Sequence, residues 1–509
     1  MSAMPTRAAF IAAECEPWAK TGGLADVVDA LARALGRLGG DVIEPIDVFL
    51  PRYAGMASGG AGSGGASPAS APPGATGREI RLRVPDPLAA DGTTEVGIVD
   101  LSGDGYRVRL VDHPPAFDRA GLYGDDAGDY PDNAWRFGLF CRAALEMLRV
   151  ERRRVDVLHL HDWHAVPALL ARDRWYRDDP VIDPAAVLLT VHNLAYHGWT
   201  PRDRLPQLGL VPGDRIVAAD AAGIDLLWAG IERAELVNTV SPGFAAEALT
   251  PEYGRGLDGV LRARGDRFFG IQNGLDTEAW DPAIDADIAA PYSRVDRTGK
   301  ATCRRDLLAR VGLDPDDPGP VLAMIGRLDP QKGFDLLADA APTLIERGAR
   351  LVVLGAGDGG VVDGLRRLEA ARPDRVVLIE AFDRLLARRI YAGADLLAMP
   401  SRFEPSGLAQ LIALRYGTPP IVRRTGGLRD TVVDEYVNPG RGTGFAFDYP
   451  TVDGLVWAAE QALAAFADRR RWAGIVERGM AADFGWERGS APRYVEAYRR
   501  AMAIRAGER

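Results

Sequence analysis

Cysteine is nearly absent from this chain: three in 509 residues, Cys15, Cys141 and Cys303, far apart and never in a CxxC pair. That scarcity excludes a disulfide framework and a zinc ribbon, and a reducing cytoplasm is the expected compartment. Long apolar runs are missing too. No stretch approaches bilayer-spanning length, and the N-terminus enters a strand-like run, Ala8 to Ala13, with no charged leader ahead of an apolar core. Neither membrane insertion nor secretion is expected. Basic charge is in deficit: 61 Lys and Arg against 71 Asp and Glu give a formal net charge of -10, which repels nucleic acid and anionic membranes. Any anionic ligand must therefore be met by a local basic pocket.

Hydrophobic residues make up 47% and charged residues 26%, the balance of an ordinary globular protein, and 509 residues exceed what one core usually organises. Two lobes are the first expectation. The one low-complexity segment, 55–77, is rich in Gly, Ala, Ser and Pro and reads as a flexible loop. Elsewhere short apolar runs alternate with helical patterns, the signature of parallel sheets covered on both faces. Strands are expected near Phe10 and at Val155–Leu160, Val187–Val191, Val321–Ile325, Leu351–Leu354, Val376–Ile379, Asp395–Met399 and Pro420–Val422. Helices are expected from near Leu24, from near Trp163 and over Phe334–Glu346. The resulting fold class is α/β, with two doubly wound, Rossmann-like domains facing across a cleft. The string KTGGLADVV at Lys20 returns as RTGGLRDTV at Arg424. We read the return as shared architecture, against a phosphate-loop solution reached twice.

Gly-rich turns at helix starts let a phosphate approach unpaired backbone NH groups. Gly22, Gly23, Gly426 and Gly427 supply two such turns, Lys20 and Arg424 add charge, and Thr21 and Thr425 can cap. A tight turn beside a solvated cation is the competing explanation for either copy alone. In GRLDPQKG, Arg327 leaves a strand and Lys332 precedes a helix, a pair suited to gripping a diphosphate, or else two surface cations. In SRFEPSG, Glu404 suits hydrogen bonds from sugar hydroxyls, or else it merely complements a helix start. Five of six histidines cluster: His159, His161 and His164, then His192 and His197. They are sugar-contacting, packed, or metal-binding, and no supporting ligand spacing points to a metal. Asp285 with Asp287, and Asp314 with Asp316, form DxD matches in Asp- and Pro-rich loops, where chance explains them. Trp18, Tyr130, Trp135, Trp163, Tyr196 and Trp199 lie near these motifs, as sugar platforms or as core.

Taken together and in this order, KTGGLADV, YPDN at Tyr130, HDWH at His161, VHNLAYHG at Val191, TVSP at Thr239, GLDGVL at Gly256, NGLD at Asn273, GRLDPQKG at Gly326, PSRFEPSGL at Pro400 and RTGGL at Arg424 resemble the bacterial glycogen synthase and plant starch synthase family. The resemblance runs from Ala8 to about Tyr498. It implies a GT-B fold with lobes 1–272 (acceptor side) and 273–484 (nucleotide-sugar side), a hinge near Asn273, and a last segment, 485–509, whose helix from Trp486 to Ala501 crosses back to the first lobe.

The same resemblance implies that Lys20, Arg327 and Lys332 meet a diphosphate, that Glu404 and His192 address the donor glucose, and that Asp162 and Asn273 line the site. Gly22, Gly23, Asp26, Ser406, Gly407, Thr425, Gly426 and Gly427 complete the binding set. Implied chemistry is retaining transfer of glucose from ADP-glucose to an α-glucan, without metal or other cofactor. Lys332→Ala is then expected to cost turnover far more than folding. Departures stand at Ser406, where Cys is usual, Arg388, where His is common, and Trp228, where Lys is usual; the last two are expected to reshape the donor and acceptor pockets. The rivals are a GT-B enzyme with UDP-glucose or a small acceptor, a pyridoxal-dependent glucan phosphorylase, for which no lysine motif is visible, and a silent glucan-binding protein, which should have lost Lys20, Arg327, Lys332 or Glu404.

Overall fold

The structure, a computed structural model, describes residues 5–56, 78–214 and 222–507. Nearly all of the 55–77 segment lies outside the described residues. The chain forms two compact units: Met1–Val240 with Ala245–Gly274 and Trp486–Arg509, and Leu275–Gly485 with Ser241–Phe244.

The first unit contributes thirteen strands among the described residues: β1 (Ala8–Ile11), β2 (Asp47–Pro51), β3 (Arg78–Pro85), β4 (Thr93–Ser102), β5 (Arg107–Asp112), β6 (Gly124–Asp125), β7 (Gly128–Asp129), β8 (Val157–His161), β9 (Ala186–Val191), β10 (Trp199–Pro201), β11 (Gly223–Asp225), β12 (Leu236–Thr239) and β13 (Phe268–Gly270). Nine form one sheet in the order β13-β12-β9-β8-β1-β2-β5-β4-β3, parallel from β13 to β5 and antiparallel in β4 and β3. Central strands β1, β8 and β9 are buried along their whole length, because helices cover a parallel sheet on both faces and leave no solvent side to alternate toward. Edge strand β3 alternates instead, burying Leu82 and Val84 while Arg81 and Arg83 stay exposed, which discourages pairing with another chain. The last helix, Ala491–Gly507, buries Tyr494, Tyr498 and Ala501 in this unit, and Trp486 packs on Gly274, where a Cβ would lie 2.7 Å from the indole. This segment begins as a π-helical turn, Trp486–Ser490, before the α-helix sets in, rather than as one helix from Trp486.

The second unit has one described six-stranded parallel sheet, built from β14 (Val321–Ile325), β15 (Arg350–Gly355), β16 (Val376–Glu380), β17 (Leu396–Met399), β18 (Pro420–Arg423) and β19 (Phe445–Phe447) in the order β16-β15-β14-β17-β18-β19. Strand residues alternate between two cores. Leu322, Met324, Leu351, Val353, Ile421 and Phe445 pack under the helices Phe334–Glu346, Gly359–Ala371 and Val452–Ala467. Val321, Ala323, Val352, Leu354, Val422 and Ala446 pack under Thr298–Arg310, Arg384–Gly393 and Ala409–Arg415. The doubly wound fold class is therefore as expected, and the helix Phe334–Glu346 has the expected bounds.

The recurring nine-residue string is not a domain repeat. Its first copy follows the first strand of its sheet, β1, and opens a helix of 15 residues, Gly23–Arg37; its second follows the fifth strand of the other sheet, β18, and opens one of 6, Gly426–Thr431. The segment after the first strand of the second unit, β14, is GRLDPQKG. Among the described residues no helix is long and apolar enough to cross a membrane.

Candidate active site

Almost every residue of the candidate binding set stands just beyond the carboxyl end of a parallel strand, where doubly wound sheets bind ligands. In the first unit, β1 leads to Glu14 and the turn Lys20–Gly23, β8 to Asp162, β9 to His192 and β13 to Asn273. In the second, β14 leads to Arg327 and Lys332, β17 to Glu404–Gly407, and β18 to Thr425–Gly427.

The turn Lys20–Gly23 is organised by a residue the sequence reading missed. Glu14, only 4% exposed, accepts hydrogen bonds from Thr21 N (2.6 Å), Thr21 Oγ1 (2.7 Å), Gly22 N (3.0 Å) and Tyr123 OH (2.6 Å). The Gly22 NH, read from sequence as a phosphate donor, is thus already committed to a carboxylate, as is the Thr21 NH, and the phosphate reading does not hold for Gly22 NH. A carboxylate at the end of the first strand of a doubly wound sheet was the available signal. Lys20 Nζ pairs with Asp26 (2.5 Å) and Glu16 (3.2 Å), so Asp26 fixes the cation. A Cβ on Gly22 or Gly23 would meet nothing within 4 Å, and Gly22 has an extended φ of -148°, so packing does not require glycine at either position. Close approach of something outside the chain is the remaining physical reason for glycine there.

Asp162 begins its helix with φ of 57°, a left-handed conformation costing a non-glycine residue about 1–3 kcal/mol. The strained turn aims Oδ1 at the backbone NH of His192, 2.7 Å away, and so ties the ends of β8 and β9. Burial raises the Asp162 carboxyl to about 7, against the hydrogen bonds from His192 and Asn193. His192 Nε2 lies 3.0 Å from Nδ1 of His161, and desolvation lowers His192 to about 3, leaving a neutral imidazole at physiological pH. Behind them, Thr190 Oγ1 donates to Asn238 (2.7 Å), so His159 Nε2–H donates to Thr190 (2.7 Å) and His159 Nδ1 accepts from Tyr498 OH (2.9 Å). His159, His161 and His164 are therefore packed groups, and His164 stacks on Trp163 at 4.0 Å. Gly198 (φ 67°) is required by packing, because a Cβ there would sit 2.3 Å from Trp163. His197 pairs with Asp225 at 2.6 Å. Among the described residues no group of three or more His, Cys, Asp or Glu is arranged to hold a metal. Asn273 is 5% exposed, and its Oδ1 is buried with no partner among the described residues, an acceptor awaiting a donor.

In the second unit, Lys332 Nζ lies 2.6 Å from Glu404 Oε2, which also accepts from Ser401 Oγ (3.1 Å). The loops carrying them are bonded together: Arg402 N donates to Gln331 O (2.7 Å), and Gly333 (φ 79°) passes so close to Pro400 that a Cβ would lie 2.4 Å from its carbonyl oxygen. Arg327 projects, 3.3 Å from Asp329, with its side chain 67% exposed. Ser406 is buried, and Gly407 takes φ of 72°.

The second glycine turn has a different job from the first. Gly427 N donates to Glu404 O (3.1 Å), and a Cβ on Gly426 or Gly427 would lie 2.1 Å from the carbonyl oxygens of Glu404 and Ser406 respectively. Arg424 pairs with Asp434 and Asp448. These glycines let the Glu404 loop rest on the turn, which corrects the reading of Gly427 NH as a phosphate donor; Thr425 is fully buried. Arg388 braces a neighbouring loop, 2.9 Å from Asp285 and 4.3 Å from the Trp280 ring centroid. Asp285 is spent on Arg388 and Tyr416, and Asp314 accepts from the NH of Asp316, so both DxD matches are local structure. Phe382, just past β16, was also missed; it is 81% exposed at a strand's carboxyl end.

Comparison with known proteins agrees in both units. Residues 7–263 match the family model described as starch synthase catalytic domain, and residues 309–475 match glycosyl transferases group 1. The chain is 41% identical to glycogen synthase of Syntrophotalea carbinolica, across 97% of this chain and 98% of that one. It is 42% identical to glycogen synthase of Anaeromyxobacter dehalogenans, across 96% and 98%. Among solved structures, the catalytic domain of starch synthase IV from Arabidopsis thaliana, bound to ADP and acarbose, superposes with a TM-score of 0.85 at 32% identity, covering 98% of this chain and 100% of that one. Sucrose-phosphate synthase from Thermosynechococcus elongatus shares the fold, with a TM-score of 0.59 at 19% identity, across 98% and 99%.

Proposed function

Because this chain belongs to the glycogen and starch synthase family of hexosyltransferases, we propose that it transfers glucose from ADP-glucose to the non-reducing 4-hydroxyl of an α-1,4-glucan with retention of configuration. The observation that carries the reading is the Lys332–Glu404 pair, bonded at 2.6 Å beside Arg327 at the carboxyl ends of β14 and β17. A diphosphate leaving group gains negative charge as the glycosidic bond breaks, and Arg327 and Lys332 are cations suited to offset it. Fixed donors of this kind are worth about 3 kcal/mol each, or about a hundredfold in rate. Glu404, with one oxygen held by Lys332 and Ser401, accepts from glucose hydroxyls as a fixed carboxylate. Lys20 adds positive charge, Gly22 and Gly23 leave room for the ligand, and Ser406 and Gly407 shape the wall behind Glu404.

His192, neutral at working pH, donates or accepts a hydrogen bond with the transferred sugar without carrying charge. Asp162 holds it through its backbone, and Asn273 Oδ1 receives a hydroxyl donor. Thr425, Gly426 and Gly427 act one layer back, by supporting the Glu404 loop. Neither metal nor organic cofactor is needed, and the reaction takes place in the cytoplasm. ADP as the nucleotide is supported by the ADP bound to the Arabidopsis relative.

Phe382 offers an exposed phenyl face to the base of the donor. Phe382→Ala should raise KM for ADP-glucose about tenfold with little change in kcat, as expected when binding is lost equally from ground and transition states. Steady-state kinetics with varied donor checks this. The assignment itself is tested by offering labelled ADP-glucose and UDP-glucose with and without glycogen, and following polymer growth and nucleotide release together. Growth with ADP-glucose supports it; nucleotide release without polymer growth, or growth only with UDP-glucose, overturns the corresponding part.

A further inference from the structure

We propose that an α-glucan chain docks on an aromatic platform made by Trp199 of β10 and Trp228 of the helix Leu226–Arg233, approached through Tyr196, beside the small β10–β11 sheet of the first unit. The inference rests on the glucan-acceptor reading and extends it to sugars beyond the reacting end.

Three large aromatic side chains are exposed in this one region: Tyr196 at 62%, Trp199 at 59% and Trp228 at 39%. Their exposure is not looseness, because the backbone beneath them is tightly tied. Trp199 stands opposite Asp225 in the β10–β11 register. Asp225 in turn caps the helix Leu226–Arg233 by accepting from Trp228 N (2.9 Å), and its other oxygen lies 2.6 Å from His197 Nδ1. His197 closes the knot, with its ring Nε2 2.9 Å from Leu194 O and its carbonyl accepting from Leu227 N at 2.9 Å. Thr200 points inward at 3% exposure, so alternation along the strand turns Trp199 outward, and at the helix start Leu226 and Leu227 are fully buried while Trp228 lies on the outer face. Among the described residues none of the three rings packs on another aromatic ring.

Rigid, solvent-facing indoles on a chain of net charge -10 fit a neutral ligand with apolar faces. A glucan presents such faces at every sugar while its hydroxyls stay in water. The patch is also close to the candidate site along the chain: the segment that leaves β9 at His192 reaches Tyr196 four residues later and Trp199 seven residues later. A long acceptor has sugars to spare for such a platform, and a trisaccharide does not.

The test uses the full-length enzyme and the double substitution Trp199→Ala/Trp228→Lys. Wild-type protein should be retarded in native gels containing glycogen, and the variant should lose that retardation. Its KM for glycogen should rise about tenfold, while transfer to maltotriose and the thermal midpoint stay close to wild type. Unchanged retardation and unchanged glycogen KM overturn the platform. So does an equal rise in KM for glycogen and maltotriose, which would place these indoles at the reacting end instead. If the wild type elongates neither acceptor, the glucosyl-transfer reading fails, and gel retardation alone still decides whether the indoles hold glucan.

Discussion

Lys332→Ala should reduce turnover at least a hundredfold and should also destabilise the protein by about 2–3 kcal/mol. From sequence alone the cost is expected in turnover and hardly at all in folding. The structure changes that, because Lys332 is bonded to a carboxylate whose side chain is only 8% exposed, while its own is 25% exposed. Removing the ammonium strands a desolvated charge on Glu404, with Ser401 as its remaining side-chain donor among the described residues. The double substitution Lys332→Ala/Glu404→Gln separates the two costs. It removes the stranded charge, so stability should return most of the way while turnover stays low; the two effects are not additive, because the side chains touch. Urea unfolding and single-turnover kinetics on the three proteins measure this. A Lys332→Ala enzyme with normal turnover would remove Lys332 from the mechanism, and one with normal stability would show that the pair is effectively solvated.

Acidification should unfold the first unit steeply, losing about 4 kcal/mol per pH unit once the pH falls below 6. Burial pushes His159 and His161 well below their usual range and His164 and His192 to about 3. Nearby charge adds to this, since His161 feels His159 and His192, and His164 feels Arg136. In the unfolded chain these four imidazoles take up protons near pH 6.5, whereas in the folded chain they cannot, so the unfolded state binds more protons and stability falls as pH falls. Each contributes about 1.4 kcal/mol per unit over that window. Asp162 has the opposite sign: its folded value, raised from 3.8 to about 7, means the native state holds a proton that the unfolded chain releases, which offsets one histidine. Among these five groups three net protons remain, and His113, also lowered by desolvation, acts in the same direction. His164→Phe keeps a ring against Trp163 and Tyr123 and removes one titrating site, so its stability should fall less steeply with pH, by about one proton. Equal slopes for the two proteins, from urea unfolding at several pH values, would sink this account.

The eight strands named from sequence, β1, β8, β9 and β14 to β18, were legible as short apolar runs, whereas β2 to β7, β10 to β13 and β19 were not named, and Phe334–Glu346 was legible because its apolar spacing has one face to bury. The Lys332–Glu404 contact was not legible from spacing. It depends on β14 and β17 being neighbours in the sheet, and adjacency of non-consecutive strands is a property of topology. The glycine strings misled for a related reason: seven matching or conservatively changed residues in nine report local chemistry and not position in a fold. Gly22 and Gly23 leave open space, whereas Gly426 and Gly427 are filled by the backbone of Glu404 and Ser406. Glu14 was passed over although it stands at the end of the first strand, because only the fold brings Tyr123 and the Thr21–Gly22 turn to it. The histidines looked like a site in sequence, yet His159 is answered by Tyr498 from the far end of the chain.

That last partnership bears on how the molecule is born. The final helix belongs to the first unit and supplies Tyr494 and Tyr498 to its interior. On the ribosome, the second unit has every one of its residues before the first has all of its own, so the half synthesised earliest is completed last. Until that helix is made the seam it covers along β8 and β9 stays open, and a product truncated before it would offer its buried histidines to chaperones and proteases.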